Sequence, residues 1–174
     1  MSNGARGKDS DAATGRRKLA VLSISVIAAT LTAVTLAHAA TNQVDGTQHF
    51  VGFGAEAIVY EMHGDLVGDW LTPYESFACK EQPKTVQCWG EETFDGFLDL
   101  NGNGSLDSGE PNGTLAFTFK FSGSASGNGR CHHPIVDGSG TGGFANATGQ
   151  LTFKDRLGAC GELNTTYSGH ISIP

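Results

Sequence analysis

The chain's densest run of potential ligands is DLNGNGSLDSGE, residues 99–110. Asp99, Asn101 and Asn103 stand at its positions 1, 3 and 5, each with a side-chain oxygen. Gly104 follows at position 6, where a tight loop must turn sharply. Ser105 at position 7 offers its backbone carbonyl, Asp107 at position 9 a water-bridged carboxylate, and Glu110 at position 12 two oxygens at once. The pattern D-x-[DN]-x-[DN]-G-x5-E is met in full. A hard cation such as Ca2+ takes six to eight oxygens at forgiving distances, and alternating side chains of a short loop supply them. The competing reading is a polar turn, since Asn-Gly and Asp-Ser-Gly also make turns. Two asparagines in place of carboxylates lower the expected affinity toward the weak extracellular range.

Other candidates carry less. Cys79, Cys88, Cys131 and Cys160 form an even set, which in an exported small domain favours disulfides over free thiols. The local, non-interleaved pairing Cys79–Cys88 and Cys131–Cys160 is favoured among three, and the absence of any CxxC pair argues against zinc. Cys131-His132-His133 lacks an evident third ligand, so its histidines read as surface or strand residues. His63 with Asp65 and Asp69 makes an acid–base cluster only if the three converge. Gly138–Gly143, GSGTGG, matches G-x-G-x-x-G, but it leads into a strand pattern rather than a helix, so a dinucleotide site is not expected.

The elements that must position these residues are strands. In TLAFTFKF, Leu115, Phe117, Phe119 and Phe121 alternate with Ala116, Thr118 and Lys120. In AEAIVYEM, Ile58, Tyr60 and Met62 alternate with Ala57, Val59 and Glu61. Such period-2 patterning marks strands with one buried face. Shorter candidates are DLVGDWL, ESFAC, TVQCWGEETFDGFL, QLTFKD and YSGHISI, separated by Gly, Pro and Asn. Residues 40–50 read as a loose leader. The expectation is an all-β fold, an antiparallel barrel of about eight strands with two disulfides, in a single domain over residues 40–174. A closed barrel leaves no free sheet edge.

Residues 1–39 have another character. Arg16, Arg17 and Lys18 precede an apolar run from Leu19 to Ala37, and Ala37-His38-Ala39 is a small-x-small cleavage signal. This is the order of an export signal peptide, and GRRKLA also suits a twin-arginine signal. The expected location is secreted, with membrane contact only through this segment before cleavage. The segment holds five of the chain's 11 basic and two of its 18 acidic residues, so the remainder has 6 basic and 16 acidic side chains, a net charge of −10. That balance repels phosphate backbones and argues against nucleic acid, while it suits a multivalent cation.

Two resemblances add to this. The 99–110 stretch resembles the EF-hand calcium loop, but its flanks, Phe94–Leu98 and Thr114–Phe121, read as strands, and Pro111 follows Glu110 directly. Residues 131–155, CHHPIVDGSGTGGFANATGQLTFKD, resemble the glycine-rich turn of the allene oxide cyclase and dirigent-like barrels, G-G-T-G-x-F-x-x-A-x-G. Here it runs Gly140-Thr141-Gly142-Gly143-Phe144-Ala145-Asn146-Ala147-Thr148-Gly149. The resemblance covers the last 45 residues or so, includes small exported bacterial members, and implies a calycin-type barrel whose end Phe144 plugs. None of that family's catalytic residues matches a position in this chain.

The expected function is therefore a secreted, non-catalytic β-barrel module in which Ca2+ stabilises an inter-strand loop. The alternative is a cyclase- or isomerase-like enzyme acting on an apolar small molecule inside the barrel. A third reading is adhesion through exposed Trp70 and Trp89. An interior filled by Phe117, Phe119, Phe121, Phe144 and Phe153 favours the module. An open interior with a few converging polar groups favours the enzyme.

Overall fold

The computed structural model describes residues 39–126, 128–157 and 163–174. The proposed export segment and Cys160 therefore lie outside the described residues, apart from the segment's last residue, Ala39. Nine strands follow one another: β1 (Ala40–Phe53), β2 (Ala57–Gly64), β3 (Leu66–Pro73), β4 (Phe77–Glu81), β5 (Thr85–Leu98), β6 (Asn112–Ser124), β7 (Gly129–Pro134), β8 (Thr148–Leu157) and β9 (Leu163–Ile173). Among the described residues the only helical element is one 3-10 turn, Gly142–Phe144.

All pairings are antiparallel, in the order β3-β2-β1-β9-β8-β7-β6-β5-β4, and a further β3–β5 pairing closes the sheet. The result is an eight-stranded barrel with β4 as an extra strand, as the alternation patterns predict. One edge of β5 is divided: β3 pairs with Thr93–Leu98, and β4 with Val86–Gly90. Ser76 bridges the step, donating through its hydroxyl to Glu91 O while Glu91 N donates to Ser76 O.

Residues 40–50 are no leader. They belong to β1, which pairs with β2 on one side and with β9 from Ala40 to Gln48 on the other. The strand hides because its inward residues are few and mixed: Val44 is apolar, Gln48 is polar, and Gly46 lies under the Tyr167 ring.

Antiparallel topology gives the barrel two distinct ends. The β2–β3, β5–β6 and β7–β8 connections lie at one, the β1–β2, β3–β4, β4–β5 and β6–β7 connections at the other. The first end is plugged. Met62, Leu66, Phe94, Leu98, Leu115, Leu151 and Ile171 are fully buried there, with Phe144 from the 3-10 turn inserted between the walls. Phe144 is 6.1 Å from Phe94, ring centre to ring centre. Its approach depends on the glycine-rich turn: Gly142 has φ +55° and Gly149 φ +141°, and a Cβ on either would strike backbone oxygen. Trp70 floors this plug, packed on Phe117 and Phe153. It is fully buried, so an adhesive role for Trp70 is excluded; Trp89 is half-exposed.

The expected cysteine pattern is half met. Cys79 and Cys88 are directly opposed on β4 and β5 with Cα atoms 4.1 Å apart, and they form a disulfide. Among the described residues a second disulfide is not seen. Cys131 is a buried free thiol, directed inward from β7 between Phe121 and Phe153 on the neighbouring strands.

Candidate functional site

The second end of the barrel is not filled. A cavity of about 220 Å3 opens there, walled by aromatic residues (Phe77, Phe119, Phe121 and Phe153) and by the Cys79–Cys88 pair. Five ionisable side chains reach it: Tyr60 from β2, Glu92 from β5, Cys131 and His133 from β7 and Asp155 from β8. Each sits on the inward phase of its strand. On β5 that phase runs Glu92, Phe94, Gly96, Leu98, so the alternation that buries Phe94 and Leu98 buries Glu92 as well.

Glu92 is anchored at the cavity floor. It accepts hydrogen bonds from Trp70 Nε1 (2.9 Å) and from the Thr72 hydroxyl, and its Oε2 lies 2.7 Å from His133 Nε2. A carboxylate has only acceptors, so an ionised Glu92 places the ring hydrogen of His133 on Nε2. His133 Nδ1 is then a bare acceptor. Among the described residues it is the one buried side-chain nitrogen or oxygen with no hydrogen-bond partner. His133 is 1% exposed and sandwiched by Phe153, Phe119 and Trp70.

The same surroundings shift the neighbours toward their neutral forms. Burial, reinforced by the charge of Glu92, pushes the Tyr60 hydroxyl up to about 12. Burial raises the Asp155 carboxyl above its usual range, against a 2.9 Å hydrogen bond from Thr165 that lowers it. Burial likewise raises the Cys131 thiol, so it is no ready nucleophile. The arrangement can bind a small, mostly apolar molecule, offer it an O–H donor at Tyr60 and accept its proton at His133 Nδ1.

The predicted cation loop lies at the plugged end, between β5 and β6. Asp99 is its hub: Oδ1 accepts from Asn101, Gly102 and Asn103 N, and Oδ2 from Gly104 N. These amide donors, Gly104 foremost, hold the carboxyl below its ordinary value. Gly102 and Gly104 adopt φ +75° and +72°, the left-handed turns a compact loop requires. Glu110 folds back across the loop, accepting from Leu100 N and Asp107 N, 2.8 Å each. The Asn101 and Asn103 amides both donate to Asp107 Oδ2, at 2.8 and 2.6 Å. The structure thus brings together the five predicted side chains, Asp99, Asn101, Asn103, Asp107 and Glu110. Ser105, the predicted carbonyl ligand, is tied in by its N–H to Asn103 Oδ1.

Among the described residues no three His, Cys, Asp or Glu side chains converge closely enough to hold a metal by themselves. Any cation here depends on the asparagine oxygens and the Ser105 carbonyl as well. Leu106, at the position that is apolar in the pattern, is about half-exposed. The His63 cluster does not assemble: His63 lies 3.4 Å from Glu61, while Asp65 accepts from Asp45 N.

Sequence reasoning missed Glu92 and His133. His133 was read as a surface or strand histidine, and Glu92 as part of a strand. The signal that finds both is phase, since each lies two residues from an evidently inward neighbour, Phe94 or Ile135. No protein-family model matches the chain, and no curated protein is similar to it in sequence.

Proposed function

We propose that the protein is a barrel that takes a small, largely apolar molecule into its open end and moves a proton on it through the Glu92–His133 pair. One observation carries this: an imidazole that lines the cavity is fully buried, is fixed by a carboxylate on one nitrogen, and has no hydrogen-bond partner on the other. At about 220 Å3 the cavity is below the usual range for drug-sized ligands, so the ligand is small. In the step envisaged, His133 Nδ1 takes a proton from the ligand, Glu92 stabilises the imidazolium, and neutral Tyr60 donates to the ligand's oxygen. The resemblance to cyclase-type barrels agrees with an isomerase-like reaction.

Cyclohexanone in D2O tests this reading. Wild-type protein should accelerate exchange of its α-hydrogens, seen by NMR, and His133→Gln and Glu92→Gln should each lower the rate by about 10²-fold or more. Exchange at the uncatalysed rate with wild-type protein, together with no small apolar ligand retained in native mass spectrometry, refutes it.

A second reading concerns the 99–110 loop, which we propose binds Ca2+ through Asp99, Asn101, Asn103, the Ser105 carbonyl, Asp107 and Glu110. It is supported by the hub geometry of Asp99 and the return of Glu110 over the loop. Rotating the two asparagine amides would turn oxygens toward Asp107 in place of nitrogens. Such a cation stabilises the plugged end and takes no part in the proton step. An exported setting suits both readings, since the disulfide belongs to oxidising compartments.

A further inference from the structure

The cavity mouth differs from the rest of the surface in two ways. First, the β1–β2 hairpin projects beyond the end of β1's pairing with β9 at Gln48. It exposes Phe50 (50%), Val51 (61%) and Phe53 (75%). Half-exposed Tyr74 leans on the hairpin's tip through a hydrogen bond from its hydroxyl to Gly54 O. Phe50 touches both Phe53 and the cavity-lining Tyr60, so the exposed apolar surface is continuous with the cavity wall.

Second, the barrel's cations are segregated. All six lysines and arginines after residue 39 are exposed and lie in the mouth half: Lys80, Lys84, Lys120, Arg130, Lys154 and Arg156. Arg130 and Lys154 are directly opposed across β7 and β8, and with Arg156 they flank a shallow groove beside Asp155. Among the described residues none of the six is held in an ion pair. Among the described residues the plugged end has no lysine or arginine, and carries Asp45, Asp65, Asp99, Asp107, Glu110 and Asp137.

From these two features we infer that the mouth docks on an anionic lipid surface, with Phe50, Val51 and Phe53 entering the interface and the basic arc meeting headgroup phosphates. Apolar burial and attraction to anionic headgroups are the two terms of interfacial binding. The domain's net negative charge does not oppose this. Strands of about ten residues rise roughly 30 Å, several times the roughly 8 Å screening length at physiological salt. The acidic end is therefore electrostatically remote from a surface at the mouth. Among the described residues the exposed glutamates Glu56, Glu75 and Glu81 lie on the β1–β2, β3–β4 and β4–β5 side, and the carboxylate within the β6–β8 groove is Asp155. The inference rests on the ligand-cavity reading for its purpose: the surface is where an apolar ligand would be collected or delivered.

Sedimentation with phosphatidylcholine vesicles, with and without about one-third phosphatidylglycerol, is the test. The protein should bind the anionic vesicles and release them in 0.5 M salt, a concentration chosen to bring screening to roughly 4 Å. Phe50→Ser/Phe53→Ser and Lys154→Glu/Arg156→Glu should each weaken binding by about tenfold. Leu106→Ser, at the opposite end, should not. Glu92→Gln should bind vesicles like wild type while losing ketone exchange, which separates failure of the surface from failure of the pocket. Circular dichroism checks that each variant is folded. Absence of binding to anionic vesicles, or binding indifferent to the Phe50/Phe53 change, overturns the inference. So does a concentration-dependent dimer that the same change dissolves, since it assigns the patch to a second copy of the chain.

Discussion

The two ends of the barrel are built from the same strands to opposite specifications. At the plugged end the inward residues are apolar, the Phe144 turn seals the opening, and carboxylates face solvent or collect backbone amides. At the mouth the inward residues include Tyr60, Glu92, His133 and Asp155, while the outward ones include the exposed phenylalanines and, among the described residues, every lysine and arginine. Close packing makes the first end the source of stability, and incomplete packing makes the second available for binding. The difference implies that damage to the two ends will be read out in different assays.

Truncation should show this most strongly. Phe144→Ala at the plug should cost about 3–5 kcal/mol in denaturant unfolding. Ile58→Ala at the half-buried cavity wall should cost less than about 2 kcal/mol, because a site already bordering a void loses fewer contacts. Equal costs would erase the distinction. Next comes the disulfide: Cys79→Ser/Cys88→Ser closes no loop in the unfolded chain and should lose roughly 2–3 kcal/mol, with the effect concentrated in protection of β4 amides from exchange. Calcium at ten times its dissociation constant should raise stability by about 1.4 kcal/mol. Asp99→Ala and Glu110→Ala should each abolish that gain. A melting temperature indifferent to millimolar Ca2+ and to chelator removes the cation from the plugged end.

The smallest effect is a contrast in pH dependence. Asp99 has a folded-state value below its unfolded one, so its contribution is present above roughly pH 4 and is lost as pH falls through the lowered value. Asp155 has a raised folded-state value, so its proton is held longer in the fold. Its effect is the reverse: stability declines as pH rises from the unfolded value, roughly 4, through the folded one. Between pH 3 and 7, a range chosen to span both ordinary carboxylate values, Asp99→Asn should flatten the rise of wild-type stability and Asp155→Asn should steepen it. Urea titrations across that range distinguish the two.

Much of the plugged end was legible in the sequence. The alternation from Leu115 to Phe121 and the bounds of β5 follow from apolar period-2 runs, and the compact turn at 99–110 follows from its glycines and asparagines. The mouth was not legible, for physical reasons. Glu92 and His133 are 41 residues apart and meet only because strand register and barrel closure bring β5 and β7 to one interior. A charged side chain on a strand ordinarily marks the outward face, and only the phase of its neighbours reveals the exception. β1 was missed because a strand that closes a barrel against glycine and aromatic rings needs few apolar residues of its own. Cys131 was paired by parity, a rule about composition that contains nothing about which way a side chain points.

The divided edge of β5 has a consequence for altering the molecule. Glu92 lies where the strand changes partner, after the β4 pairing ends at Gly90 and before the β3 pairing begins at Thr93. The hairpin from Tyr74 to Lys84 therefore contributes Phe77 and Cys79 to the cavity without contributing to the plug. It is a separate panel of the pocket: exchanging it would reshape one wall, at the cost of the Cys79–Cys88 bond, while the β3–β5 pairing that closes the barrel lies outside it.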